Sequence, residues 1–329
     1  MAHSALNAKI AGMRGKLLNA AGYSNLCAAR KDGEVYTFLK RHESYSHISD
    51  NGTSLSQQLY LILDKDFKKI CGFINDSKLK SYLAAFYLKR EITELKQLLR
   101  ATYNGEGAGP ANNFALHKLK ITQAITQIEE LISALGSRKY HEIIKNAYGK
   151  NKALIDIETA LDLFYYSNLY KAQKRLLTGA DREAAKLING VEIDVQNISS
   201  IYRLKTYYHA QPDVLYKYIL PINYKISTKA IIALAEAKDR SELLRLISGS
   251  YYGDWFSEKG TETFKYAAIS AAFQKAVRKY SNSIALLMYY LYKKELELKN
   301  IISIFEGLNY PMTLDIVELL QDRYDAAVL

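Results

Sequence analysis

The chain has 329 residues, 49% of them apolar and 24% charged, with a formal net charge of +11. This composition is typical of a folded globular protein, and it excludes collagen-like and disordered classes. The sequence has no apolar run of roughly 18 residues, as a membrane span needs, and no signal-peptide pattern at its start, so we expect a cytoplasmic protein. Two cysteines cannot form a disulfide framework in a chain of this length.

The positive charge is unevenly distributed along the chain. Residues 1–41 contain seven Lys and Arg against two acids, whereas residues 312–329 contain four acids against one Arg. An excess of this sign predicts acidic partners, such as nucleic acid, anionic lipid headgroups or an acidic protein surface. A coding bias that raises Lys, Tyr, Ile and Asn together is the alternative explanation.

The chain contains only four prolines, which leaves long stretches free to form helices. Apolar residues spaced by three and four predict helices within residues 121–135, 153–170, 266–280 and 314–321. Residues 214–226 partly alternate apolar and polar side chains, which predicts an extended segment. We therefore expect an all-α protein with at most one extended stretch.

A ten-residue pattern occurs three times, at 91–100, 194–203 and 297–306, with a spacing of 103 residues. Each copy opens with an acid, has a polar residue three positions later and continues with apolar residues at helical spacing. The acid and polar columns contain Glu91, Glu94, Asp194, Asn197, Glu297 and Asn300. Tyr45, Tyr148 and Tyr251 share the same spacing. A repeat of this kind predicts three similar units.

Turn-forming residues divide these units. The glycine-rich stretch 104–110 ends in proline, and a second break falls at Gln211 and Pro212. We therefore predict three helical-bundle domains, at 1–110, 111–212 and 213–329. The first begins with a basic helix and the third ends with the acidic tail.

Catalytic and metal-binding motifs are missing from the sequence. There is no phosphate-binding G-x-x-x-x-G-K-[ST], no H-E-x-x-H and no aspartate pair of the kind that holds magnesium. The cluster Gly105–Gly109 precedes a proline and lacks the strand-to-helix context of a dinucleotide loop. We therefore predict a protein that is not an enzyme, with no catalytic residues, no metal and no cofactor.

The six repeat residues are the one constellation that invites a functional interpretation. If the units surround an axis, these side chains recur at equivalent positions that face the axis or the seams between units. The alternative is a solvent-exposed face, or a helix-packing contact that recurs because the unit was duplicated. Adjacent tyrosine pairs such as Tyr207 and Tyr208 favour packing roles, because neighbouring helix residues point about 100° apart and form no stacking platform.

Four segments carry a resemblance to a known family: Leu6–Arg14, Leu95–Ala101, Glu192–Ile198 and Tyr292–Ile301. With the three tandem units, they resemble the C subunit of the V/A-type (vacuolar and archaeal-type) rotary ATPases, whose eukaryotic equivalent is the d subunit. The resemblance covers essentially the whole chain. The first unit departs from the pattern with Glu94, where the other two units have Asn.

The resemblance implies a pseudo-three-fold funnel of three helical domains that carries out no chemistry. Its implied partners are the D and F axle subunits above and the membrane rotor ring of proteolipid subunits below, with no nucleic acid. It would transmit torque for ATP-coupled transport of H⁺ or Na⁺ at the cytoplasmic face of the membrane. The matching columns imply that Glu91, Glu94, Asp194, Asn197, Glu297 and Asn300 lie near the axial wall or its interfaces.

A basic helical nucleic-acid-binding module is the alternative function, and it would use the Lys- and Arg-rich first 41 residues. Asp32 and Glu34 interrupt that charge, and no helix concentrates cations on one face. A helical enzyme with an unrecognised site is a third possibility.

Overall fold

The computed structural model describes residues 2–105, 125–135, 140–151, 153–256 and 261–308. Within these ranges the chain forms fourteen α-helices, three short 3₁₀ turns and no β-strand, which confirms the predicted all-α class. The helices are α1 (Ala2–Arg14), α2 (Ala20–Cys27), α3 (Asp32–Arg41), α4 (Leu55–Gly72), α5 (Ser77–Tyr103), α6 (Ile128–Leu135), α7 (His141–Asn151), α8 (Leu154–Leu176), α9 (Gly179–Tyr208), α10 (Pro212–Leu215), α11 (Thr228–Glu236), α12 (Arg240–Ser248), α13 (Thr261–Lys279) and α14 (Ala285–Gly307).

The chain divides into two compact units. One consists of residues 74–177, and the other combines residues 1–73 with the chain from residue 178 onward. The three-domain division at 1–110, 111–212 and 213–329 stays a prediction.

The unit of residues 74–177 is built on the packing of α5 against α8. Leu95 and Leu161 belong to its fully buried core. Lys96 donates to Asp162 across the two helices at 2.6 Å, and α7 also packs on α8. Asp76 is the N-cap of α5. Its side chain accepts hydrogen bonds from two backbone N–H groups of the first helical turn, at 2.7 and 3.2 Å.

The other unit contains two main helix packings, α9 against α13 and α14 against α4. Because α4 belongs to the first 73 residues, the beginning of the chain packs on its last described helix. Polar contacts support this arrangement: Asn7 donates to the Ser281 carbonyl at 3.0 Å, and Tyr290 donates to Asp66 at 2.6 Å.

The end of α9 agrees in part with the break that the sequence predicts at Pro212. The helix α9 ends at Tyr208, where His209 adopts a left-handed conformation with φ of 50°. Tyr207 and Tyr208 are 66% and 67% exposed, so the packing role predicted for this pair is wrong. Pro212 follows within four residues, and it opens α10 instead of only stopping α9. Proline is well suited to that first helical position because its φ is already fixed near the helical value and its missing N–H costs no bond.

The predicted helices 153–170 and 266–280 are confirmed by α8 and α13. The extended prediction for 214–226 is wrong at its start, because residues 212–218 form α10 and a 3₁₀ turn. Of the predicted helix 121–135, residues 121–124 lie outside the described residues, residues 125–127 are not helical, and α6 covers the rest from Ile128. The helix prediction at 314–321, the acidic tail and the boundary at Pro110 lie outside the described residues.

Candidate functional site: the buried acids of the repeat helices

All three copies of the repeated pattern lie within long helices, α5, α9 and α14, which we call the repeat helices. Their opening acids, the repeat acids, are Glu91, Asp194 and Glu297. Asp194 and Glu297 are buried, with 0% and 3% of their surface exposed, and Glu91 is half-buried. A carboxylate so far from water must find hydrogen-bond donors within the protein.

Asp194 accepts four hydrogen bonds from a later part of the chain. The backbone N–H groups of Tyr224, Lys225 and Ile226 donate at 3.0, 2.6 and 3.1 Å. The hydroxyl of Tyr252 donates at 2.8 Å. Burial raises the pKa of Asp194, and these hydrogen bonds oppose the rise. One side chain thus accepts hydrogen bonds from three consecutive backbone N–H groups. These residues are not helical, so no carbonyl of a helix accepts from them.

Glu297 performs the same task for the beginning of the chain. The backbone N–H of Leu18 and the hydroxyl of Tyr45 both donate to its carboxylate. Lys294 donates to Glu297 at 2.8 Å and to the Tyr45 hydroxyl at 2.7 Å, with its nitrogen 4.2 Å from the ring centre. Burial and the charge of Glu297 raise the pKa of Tyr45 well above its ordinary value, so Tyr45 stays a donor.

We call these two sets of contacts the clasps of Asp194 and Glu297. Their backbone donors lie at corresponding positions of the repeat, but the donors of Asp194 come after it in the chain and the donor of Glu297 comes before it. Leu18 and Tyr224 are 206 residues apart, which is twice the repeat spacing. Asp194 holds a segment that lies 30 to 32 residues after it, whereas Glu297 holds one that lies 279 residues before it. Residues at the start of the chain therefore supply to α14 what the segment after α9 supplies to α9.

Glu91 also faces a tyrosine, within the unit of residues 74–177. Burial raises the pKa of Tyr140, and the negative charge of Glu91 raises it further. Each repeat acid is thus paired with a buried tyrosine, which is Tyr140, Tyr252 or Tyr45. Of the three tyrosines that share the repeat spacing, only Tyr45 is one of these partners within the described residues. Tyr148 instead donates to Glu129 at 2.9 Å, and Tyr251 is 44% exposed.

The polar column three residues later is buried as well. Asn197 closes a double hydrogen bond with the backbone of Leu220, accepting at 2.8 Å and donating at 3.0 Å. Asn300 is 3% exposed. Because an amide can donate and accept at once, asparagine suits a position that must satisfy both groups of one residue.

Glu94 departs from asparagine, and its surroundings explain the departure. Arg90 donates to Glu94 one helical turn away, and both side chains are less than 8% exposed. At the positions equivalent to Arg90 the other two copies have Ile193 and Leu296. The two departures therefore occur together and compensate each other's charge.

The geometry indicates an internal, structural role for these side chains, which matches the packing-contact interpretation of the repeat. Their placement near an axial wall stays a prediction. Sequence reasoning missed Arg90, Lys294 and Tyr252. A signal for Lys294 exists, because it interrupts an apolar stripe at helical spacing from Leu291 to Leu298.

No group of three or more His, Cys, Asp or Glu side chains within the described ranges is placed to hold a metal ion. None of the helices described is both long and apolar enough to cross a membrane. The helices and the contacts of their buried acids define an all-α protein with an internal repeat, in which buried carboxylates bind other segments of the same chain.

The chain belongs to the family of ATP synthase (C/AC39) subunits, whose sequence profile matches residues 6–318. It is similar to the A-type ATP synthase C subunit of Methanosphaera stadtmanae, with 25% identity in an alignment that covers 90% of this chain and 81% of that one. The C subunit of Methanosarcina mazei is 26% identical, covering 72% and 68% of the two chains. That of Methanosarcina acetivorans is 24% identical, covering 91% and 87%. The resemblance to the C subunit of a V/A-type ATPase is thereby confirmed.

Proposed function

We propose that this chain is the non-catalytic central-stalk subunit of a rotary ATPase, a socket that joins the axle to the membrane rotor ring. The observation that carries the proposal is the family match over residues 6–318, which spans all three copies of the repeat. In this role the axle pair D and F binds above, the proteolipid ring binds below, and torque passes between them. The chain is then peripheral to the membrane, at its cytoplasmic face.

The internal contacts support a load-bearing role. A protein that passes torque must not yield at its joints, and Asp194 on α9 and Glu297 on α14 hold neighbouring segments through buried hydrogen bonds. Breaking one partner of such a buried contact is costly, which resists slippage. We place the three repeat helices along the wall of a three-domain funnel, with Glu91, Asp194 and Glu297 holding that wall together from within.

The charge supports binding to acidic surfaces. The ring collar and the surrounding anionic headgroups are candidate partners for a chain of formal charge +11. Such contacts act over a screening length of about 10 Å at moderate salt.

Co-purification tests this function. The chain is co-expressed with the D and F subunits of the same ATPase and analysed by size-exclusion chromatography at physiological salt. We expect a stable three-component complex, and a second complex with the detergent-solubilised proteolipid ring. A parallel experiment with Glu297→Gln tests whether the clasp is needed for the socket.

Failure to join either partner would contradict the proposal. Strong, sequence-tolerant retention of DNA or RNA in a gel shift under the same conditions would favour the nucleic-acid alternative instead.

A further inference from the structure

A cavity of about 520 Å³ lies between α9 and α13, next to the contacts of Asp194, because Tyr224 and Tyr252 both line it and both donate to that carboxylate. Its floor is formed by apolar side chains of the two helices, chiefly Leu187 and Val191 on α9 and the alanines Ala268, Ala271 and Ala272 on α13. The small alanine side chains leave space that larger residues would fill. The volume lies within the range of about 300 to 1,000 Å³ that is common for small-molecule sites.

Aromatic rings form one wall of this cavity. Tyr224, Tyr251, Tyr252 and Trp255 line it. The rings of Tyr251 and Trp255 have their centres 5.8 Å apart and are tilted by 50°. Tyr251 remains 44% exposed, so its ring is accessible to a ligand. A planar ring that enters the cavity would contact aromatic faces, which contribute to stacking without discriminating between bases.

Three cations on one face of α13 complete the lining, so the expectation that no helix concentrates cations on one face is wrong for this helix. Lys275, Arg278 and Lys279 follow the alanines at helical spacing and are exposed. Within the described part of the chain none of the three forms an ion pair. The nitrogen of Lys225 lies 5.6 Å from the centre of the Tyr251 ring and adds to the positive charge near the aromatic wall. The Lys279 nitrogen lies 5.3 Å from the centre of the Tyr280 ring. Cations that form no ion pair at the edge of an apolar cavity are suited to phosphate oxygens.

We propose that this cavity binds a nucleoside phosphate, with the base against the tyrosine and tryptophan rings and the phosphates on Lys275, Arg278 and Lys279. Apart from the tyrosine hydroxyls, the indole N–H of Trp255 and the cations, its lining side chains are apolar, so the edge of the base has few partners. The site therefore prefers nucleotides over nucleosides and distinguishes poorly between ATP and GTP. This inference is independent of the socket function.

The single tryptophan of the chain, Trp255, gives a direct readout, because it lines the cavity. The purified full-length chain is titrated with ATP, GTP, adenosine and tripolyphosphate, and tryptophan fluorescence is recorded together with isothermal calorimetry. We expect saturable binding of ATP and GTP with midpoints of about 1 mM or lower, within a factor of about three of each other. Adenosine and tripolyphosphate should each bind about tenfold more weakly.

Charge-neutralised variants test the assignment of the phosphate contacts. The variant K275Q/R278Q/K279Q should bind ATP at least about tenfold more weakly, because charged hydrogen bonds are lost. The control K78Q/K80Q/K145Q removes the same charge from exposed positions of the other unit and should bind like the unchanged chain. All six positions are exposed, so circular dichroism should show that both variants fold. Tyr251→Ala should weaken binding about fivefold or more.

Four outcomes would overturn the proposal. These are the absence of a saturable signal with ATP, equal affinity for adenosine and ATP, equal affinity for tripolyphosphate and ATP, and equal losses in the cavity variant and its charge-matched control.

Discussion

Glu297 receives hydrogen bonds from a backbone amide, a tyrosine hydroxyl and a lysine, all inside the protein. Lys294 is 1% exposed, so its charge depends on this carboxylate for compensation. Burial of one charge is tolerated only while its partner is present. The stability of the site therefore resides in the pair and in Tyr45 together, not in any single contact.

Replacing Glu297 by Gln should destabilise the protein by about 3 to 5 kcal/mol, because Lys294 is left as a buried charge without a counter-ion. Urea unfolding followed by circular dichroism measures the free energy of unfolding. The matched control is Glu306→Gln, an exposed position on the same helix, which should change stability by less than about 0.5 kcal/mol. Equal effects of the two substitutions would contradict the clasp.

Lys293 provides a pH test at a neighbouring position. Burial and the nearby charge of Arg14 lower the pKa of Lys293 to about 8, against an opposing effect of Glu297. The ordinary value is about 10.5, so the charged form is penalised in the folded state below about pH 8, and the penalty is lost as the pH rises from about 8 to 10.5. Lys293→Met should therefore raise the free energy of unfolding, relative to that of the unchanged chain, more at pH 7 than at pH 10.

Thermal or urea unfolding of both chains across this pH range measures that difference. A stability difference that does not change with pH would show that Lys293 keeps its ordinary pKa in the folded protein.

Residue-scale prediction from the sequence identified the repeat acids but not their partners. The columns at 91, 194 and 297 are visible because each acid interrupts an apolar helix at a fixed spacing. The partner tyrosines are less regular, since Tyr252 and Tyr140 are displaced by one and eight residues from the repeat register. A fixed spacing cannot reveal such shifts, because they depend on the length of local turns.

At the scale of elements, the repeat helices satisfy the buried polar residue that follows each repeat acid by three positions in two different ways. In α9 the polar residue is Asn197, which binds the Leu220 backbone. In α5 it is Glu94, and Arg90 accompanies it. Either an uncharged amide or an internally neutralised acid meets the requirement for a satisfied buried polar group.

A double-variant cycle tests this compensation. Arg90→Ile alone should cost about 3 kcal/mol or more, because it leaves Glu94 buried without its cation. Adding Glu94→Asn gives α5 the residue types of the other two helices and should recover a large part of the loss. Unfolding free energies of the two single variants and the double variant give the coupling. A coupling near zero would contradict the pairing.

The loop that Asp194 holds also packs closely on α9. A Cβ at Gly190 would lie 2.4 Å from the Tyr224 ring, so the glycine is needed for this approach. Gly190→Ala should destabilise by about 1 to 3 kcal/mol, despite the better helix propensity of alanine. Gly12→Ala is the matched control in α1, where a Cβ meets nothing within 4 Å. It should stabilise by about 0.5 to 1 kcal/mol.

The double variant G190A/Y224A tests whether the Tyr224 ring causes the destabilisation by Gly190→Ala. Removing the ring should cancel most of the cost of the new methyl group, and persistence of the full cost would show that the ring is not what excludes it.

Prediction of elements succeeded where the apolar pattern was long and failed near the ends. The helices α8 and α13 follow a regular three-and-four spacing over 23 and 19 residues. Ile125 fits the same spacing but lies outside α6, since the period does not mark where a helix begins. At 212–218 the alternation of side chains concealed two short helical turns, which are too brief to show a period.

At the scale of the whole molecule, the beginning of the chain completes the packing of its last described helix. The helix α14 packs on α4 and receives Tyr45 and Leu18 at its acid. The sequence predicts three similar units, but it does not reveal that the beginning of the chain packs on α14. A repeat spacing shows which segments are similar, but it does not show which segments pack against each other.

Imaging of the native ATPase by electron cryo-microscopy tests the socket function most directly. We expect density for this chain on the rotation axis, between the D–F axle and the proteolipid ring, with α5, α9 and α14 around the axle foot. Density for the chain at the periphery of the assembly, or an axle that reaches the ring without contacting it, would contradict the socket function.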